Sequence, residues 1–357
     1  MRRGIHLPLA VLASAACLAG AVGTAETAKR CWRPDDVAYA VMTQRICELN
    51  WALFQFGIPG YPPPSWNATA KVLGCWNLMA YNTNKYLSSG VYQSSVDNRC
   101  VLVFSGFHGA LTGYLKAMAA LINPPERWSM CKNQLYAPFV KVLRAHTALK
   151  NWTRIVDFIA GPKSTCAGGT ATLLGESVGG SLAEIFATCS ATGDLAQVQP
   201  KALPRVQVKE LYTYGAMASS AFPLHNYSGV HLQKSSCFRG KRYFHSKDAI
   251  SKLGNDFLLV HPHMDAVEIF DGKAKQTFLQ YACRSIDATW DREVGEDKRI
   301  SATTIVKSDT KVDMAAAHSI KKYVEEILQM TKQQAEQPPE RHSHSMAGHG
   351  NVPGQRV

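Results

Sequence analysis

The pentapeptide Gly175-Glu176-Ser177-Val178-Gly179 constrains this chain more than any other stretch. An apolar run from Thr170 to Leu174 leads into it, and a helical pattern starts directly behind it. After Ser177 the apolar positions Leu182, Ile185, Phe186 and Cys189 recur at i, i+3, i+4 and i+7, one face of a helix. Strand, sharp turn and helix together are the context of a nucleophile elbow. The turn strains the central residue and leaves room only for glycine on either side, here Gly175 and Gly179. Ser177 is then displayed at a strand end, over the N-terminus of the next helix. Three fixed positions recur by chance in about one chain in ten of this length. The rest of the chain therefore has to decide what the serine is for.

Alternating strand and helix patterns surround the pentapeptide. Pro34 to Phe56 has helical spacing, with Asp35 or Asp36 as its cap. Ser65 to Asn98 shows no clean period. Cys100 to Phe104 reads as a buried strand that stops at Ser105-Gly106-Phe107-His108-Gly109. Ala110 to Ile122 and Val140 to Ile159 read as helices. Val206 to Tyr214, Arg242 to Phe244 and Ala266 to Phe270 read as strands, and Met314 to Met330 as a last helix. This alternation predicts an α/β fold, with a mostly parallel central sheet and helices on both faces.

The two ends of the chain are set apart. Arg2 and Arg3 precede an apolar run from Leu7 to Val22, and the small residues Gly23 and Ala25 suit a signal-peptidase site. Residues 1–25 are expected to be a secretory signal, because the run is short for a full membrane span. No second apolar stretch approaches that length, so no transmembrane segment is expected in the mature chain. Residues 26–330 are expected to form one domain. Residues 331–357 are polar, include Pro338-Pro339, and are expected to be a disordered tail. Its His342, His344 and His349 belong to that tail, and no metal or other cofactor is expected.

Nine cysteines lie beyond the signal, with no C-x-x-C pair among them. In an oxidising compartment they make up to four disulfides and leave one thiol. Sequons at Asn67, Asn151 and Asn226 fit the same secretory route. The formal net charge is +12, but the lysines and arginines are scattered and accompany no nucleic-acid motif. A nucleic-acid partner is not expected.

A serine at an elbow needs a base and a group that orients the base. Acids downstream are Asp248, Asp256, Asp265 and Asp271, and histidines are His225, His231, His245, His261, His263 and His318. Asp248 closely follows a predicted strand, at the sheet end where ligand-facing loops gather. His318 lies far downstream, at a helix start near the end of the folded part. The order serine, acid, histidine is that of α/β hydrolases. Ser177, Asp248 and His318 are thus the candidate catalytic residues.

From about residue 95 to 330 the chain resembles the class 3 (fungal-type) triacylglycerol lipase family. Gly175 to Ala183 is similar to that family's G-H-S-L-G-G-A-L-A, and Leu211 to Gly215 to its post-elbow strand. Tyr243 to Ile250 resembles the segment that carries the triad acid. Val260-His261-Pro262-His263 with Glu268 resembles H-x-G-x-E, where the histidines are structural. Ala317-His318-Ser319-Ile320 with Tyr323 resembles the terminal D-H-x-x-Y. The resemblance implies an α/β-hydrolase fold, an oxyanion hole made by the N–H groups of Phe107 and Val178, and a lid near Ala110 to Leu121. It differs from the family at Ser105, Phe107, Glu176, Ala249 and Ala317.

The expectation is therefore a secreted carboxylic-ester hydrolase acting on acylglycerols or other lipid esters, with transient contact to a lipid surface. Two other readings stand beside it: an inactive interaction protein on a hydrolase fold, and an esterase for non-lipid acyl groups.

Overall fold

The computed structural model describes residues 35–55, 73–84, 86–106, 126–220, 238–245, 248, 250–252, 261, 263–270, 273–277 and 318–336. The signal segment, the tail beyond residue 336, Phe107, the lid region and the sequons at Asn67 and Asn226 lie outside them. Ten strands occur among the described residues. Eight form one sheet in the order β1 (Trp76–Thr83), β2 (Ser88–Ser94), β3 (Cys100–Phe104), β6 (Thr170–Glu176), β7 (Gln207–Tyr214), β8 (Phe238–His245), β9 (His263–Phe270) and β10 (Lys273–Thr277). β3, β6, β7, β8 and β9 run parallel, while β1, β2 and β10 pair antiparallel at the two edges. β4 (Arg127–Met130) and β5 (Asn133–Tyr136) make a separate hairpin.

Helices cover both faces, because the parallel strands are apolar on both sides. β3 is buried at all five of its residues. Leu102 and Phe104 point to one layer, and Val101 and Val103 to the other, following the two-residue period of a strand. The first layer is α2 (Ala137–Thr147), α3 (Lys150–Ala160) and α4 (Val178–Thr192). Phe104, Trp152 and Phe186 meet there with ring centroids 5.7–6.0 Å apart. The second layer is α1 (Asp35–Gln55) and α5 (Ile320–Glu336). Tyr39 of α1 lies edge-on to Tyr212 of β7, 5.0 Å between centroids. This is the α/β-hydrolase arrangement, with a parallel core and the elbow between β6 and α4.

Several boundaries differ from the sequence reading. The helix expected from Val140 to Ile159 is two helices, broken at Ala148-Leu149. Leu149 is extended, with φ −70° and ψ 143°, and beside the break the Thr147 hydroxyl donates to the Val198 carbonyl while the His146 carbonyl accepts from Asn82. The stretch from Ser65 to Asn98, which shows no clean period, contains the strands β1 and β2. β1 is an edge strand with a register shift between Leu78 and Ala80, and β2 is a Ser- and Gly-rich segment buried on both sides. Neither shows the alternation that sequence reading needs. The last helix spans Ile320–Glu336, so its first residue is later than expected and residues 331–336 belong to it rather than to a tail.

Two disulfides hold the first layer. Cys100–Cys166 links the start of β3 to the segment before β6, and Cys131–Cys189 links the hairpin to α4. Cys75 is also disulfide-bonded. Cys47 of α1 is a buried free thiol.

Candidate functional site

The site lies at the carboxyl ends of the parallel strands, where such sheets place their ligands. β6 ends at Glu176, and Ser177 follows with φ 55° and ψ −128°, a conformation a serine holds only when its surroundings impose it. They do. The Ser177 N–H donates to the Tyr214 carbonyl at 2.9 Å, and α4 begins at once with Val178. A Cβ on Gly175 would strike the backbone of Gly179, and one on Gly179 would strike that of Ser105. Both elbow glycines are thus required by close backbone approach, as the motif predicts. The turn costs roughly 1–3 kcal/mol, which the packed strand and helix on either side sustain.

β7 ends at Tyr214, and Gly215 follows with φ +60°. A Cβ there would lie 2.8 Å from an Asp248 carboxyl oxygen, 3.0 Å from the Tyr323 hydroxyl and 3.2 Å from His318 Nδ1. This glycine leaves the space that the acid and the imidazole occupy. β8 ends at His245, and the Asp248 N–H returns to the His245 carbonyl at 2.9 Å. That turn aims Asp248 inward, where it is fully buried. Its Oδ1 accepts the N–H groups of Ile250 and Ser251 at 2.9 and 3.3 Å.

His318 stands in a turn just ahead of α5, and its ring joins the serine to the acid. Its Nδ1 is 2.8 Å from Asp248 Oδ2, and its Nε2 is 2.7 Å from Ser177 Oγ. Three residues separated by 71 and 70 positions in sequence therefore meet in one hydrogen-bonded row. Burial, the largest influence on the imidazole, favours its neutral form. The charge and hydrogen bond of Asp248 and the charge of Glu176 outweigh it and hold the pKa above the usual histidine value.

Two further residues join the row. Tyr323, on the first turn of α5, donates its hydroxyl to Asp248 Oδ2 at 2.7 Å and accepts the His245 N–H at 3.1 Å. The sequence resemblance included Tyr323 but assigned it no task. In the sequence Glu176 is a departure from the family pattern and nothing more. It is buried, one carboxyl oxygen is 4.0 Å from His318 Nε2, and the other accepts the Cys47 thiol at 3.7 Å. Burial, above all, pushes its carboxyl up to about 7. The one sequence signal for it was its place directly before the elbow serine.

The remaining nominated residues fall as follows. Val178 is the first residue of α4, where N–H groups have no partner within the helix. Phe107 lies outside the described residues. His261 is apart from the row: its Nδ1 is 2.6 Å from Glu184 Oε1, and Ser219 donates to the other oxygen at 2.7 Å. His263 opens β9, and His245 closes β8 with its Nε2 4.0 Å from Glu326. No group of metal-ligating side chains occurs among the described residues.

No protein-family model matches the sequence, and no curated protein matches it. The structure is similar to solved fungal lipases. The lipase from Rhizopus microsporus var. chinensis is 13% identical, with 71% of this chain and 77% of that one covered at a TM-score of 0.41. Lipase II from Rhizopus niveus is 13% identical, with 68% and 82% covered at 0.41. A nonglycosylated Yarrowia lipolytica lipase is 11% identical, with 71% and 88% covered at 0.44. At such identities and TM-scores the likeness says nothing of activity.

Proposed function

We propose that the protein is a secreted serine carboxylic-ester hydrolase of lipase type, in which Ser177 is the nucleophile, His318 the general base and Asp248 the group that orients it. The observation that carries this reading is the row Ser177 Oγ, His318 Nε2, His318 Nδ1, Asp248 Oδ2, with spans of 2.7 and 2.8 Å. A serine hydroxyl is a weak nucleophile until a base takes its proton. Here His318 takes it as Ser177 attacks an ester carbonyl, and Asp248 stabilises the imidazolium. The same proton passes to the departing alcohol, and water then hydrolyses the acyl-enzyme with His318 again as base. The N–H groups of Val178 and Phe107 are the proposed donors to the oxygen that gains charge.

Acylglycerols or related lipid esters are the proposed substrates, met at a lipid surface. Disulfides at Cys100–Cys166 and Cys131–Cys189 suit an oxidising compartment and so the secretory reading. Among the described residues no helix is long and apolar enough to cross a membrane.

A fluorophosphonate probe tests the reading, since it labels only an activated serine. The wild-type protein is expected to be labelled and to turn over p-nitrophenyl esters. Ser177→Ala is expected to lose both with its circular dichroism unchanged. Equal labelling of the two proteins would refute the assignment. An unlabelled wild type would favour the inactive interaction protein instead. Emulsified long-chain esters, compared with soluble short-chain ones, then separate a lipase from a non-lipid esterase.

A further inference from the structure

Glu176 is a carboxylate built into the site for which the three-residue mechanism has no use. Its position is enforced from several elements. It is the last residue of β6, next to Ser177. The Cys47 thiol reaches it from α1 on the far layer, 129 positions away in sequence. The Gly106 N–H, just past β3, also binds it. A side chain on Gly106 would collide with the Glu176 carboxyl, so the glycine there leaves the room that this carboxyl fills. The thiol faces Oε2, and the other oxygen, Oε1, lies 4.0 Å from His318 Nε2.

We infer that Glu176 is a second carboxylate acting on the base: a positioning residue that stabilises protonated His318 from the Nε2 side, opposite Asp248, and so sets the acid limit of activity. The inference rests on the hydrolase reading of the same site. The imidazole lies between two carboxyl groups, Asp248 at Nδ1 and Glu176 near Nε2. Only Asp248 is within hydrogen-bonding distance. Glu176 acts through its charge at a distance where Nε2 still reaches Ser177 Oγ. When the serine proton arrives at Nε2, the positive ring is stabilised from both sides. Glu176 takes no proton in this step.

Among the described residues the other titratable groups around the pair are few. Cys47 faces Glu176 from α1, with Glu48 beside it, and burial keeps its thiol protonated and donating. Asp248 faces both members from the turn after β8. Tyr323 faces Asp248 from α5, with Arg242 of β8 acting on Tyr323 in turn. Burial raises the Glu176 carboxyl to about 7, and His318 is itself held above the usual histidine value, so each group's charge bears on the other's ionisation. The acid limb then belongs to the pair rather than to either residue.

The test is kcat/KM for a p-nitrophenyl ester from pH 5 to 9, in full-length wild type, E176Q and C47A. An opposite charge nearby raises a histidine by about one unit or more. E176Q is therefore expected to move the acid limb down by about one pH unit, so that it keeps more of its plateau rate at low pH. C47A keeps Glu176 but removes its thiol donor, which makes the carboxyl harder to ionise. Its limb is expected to move the same way by a smaller amount, and it carries the test if E176Q does not fold. Limbs that coincide with the wild type, in proteins that turn over ester and label with fluorophosphonate, overturn this inference alone. Wild-type protein that neither turns over ester nor labels overturns the hydrolase reading beneath it.

Discussion

Tyr323 shows how far the site extends beyond its three central residues. Its hydroxyl gives Asp248 Oδ2 a donor at 2.7 Å, on the same oxygen that faces His318. That bond restrains the oxygen that faces the imidazole, and hydrogen bonds to charged groups contribute roughly 1.5–3 kcal/mol. Tyr323→Phe is therefore expected to lower kcat about tenfold or more, with KM little changed. It should also lower the melting temperature, because the buried His245 N–H loses its acceptor. A kcat within twofold of wild type would mean that the Ile250 and Ser251 amides suffice to hold Asp248. At this scale the sequence was informative about identities. Ser177, Asp248 and His318 could be nominated from local context, whereas Tyr323 and Glu176 could not be given tasks. Their tasks are distances, and no local pattern encodes a distance between β6, α1 and α5.

At the scale of elements, the break between α2 and α3 places His146 in the first layer. Its Nε2 is 2.9 Å from the Ser89 hydroxyl of β2, and its carbonyl accepts from Asn82 of β1. Burial holds this imidazole neutral and lowers its pKa to about 4. A histidine depressed in the folded state stabilises above its unfolded pKa, near 6.5. That stability is lost as pH falls through about 4, because the unfolded chain binds the proton more readily. The loss amounts to about 3 kcal/mol over this window. His146→Gln is thus expected to flatten the fall in melting temperature between pH 6.5 and 4. Parallel curves for variant and wild type would show that His146 is not what acid attacks. The helix break itself was invisible in the sequence, because the apolar spacing runs across it. Thr147 and Asn82 make it visible only once the sheet edge and the Val198 loop are in place.

Across the whole molecule, the row of Ser177, His318 and Asp248 depends on parallel strands that are far apart in the chain. β3 and β6 pair through Cys100↔Ala171 to Phe104↔Gly175, and the Cys100–Cys166 bond closes the long connection between them. Its 66-residue separation corresponds to about 4 kcal/mol of restricted unfolded-state entropy. Replacing both cysteines with alanine is expected to lower the melting temperature by several degrees and to leave ester turnover near wild type at low temperature. Lost turnover in a folded double variant would show that the bond also shapes the site.

The sequence by itself determined the layered α/β architecture, since the alternation of apolar runs and helical faces leaves few other ways to bury both. It also determined the elbow, because its three residue types stand at fixed spacing in one short stretch, even though the contact that requires Gly179 comes from Ser105. The strands β1, β2 and β10 and the split of α2 from α3 were decided by tertiary partners. So was the surrounding of His318. A thiol from α1, a carboxyl from β6 and a phenol from α5 gather there because the second helix layer closes on the ends of the parallel strands. That convergence is a property of packing, and it places charge and hydrogen bonds where no short stretch of sequence could announce them.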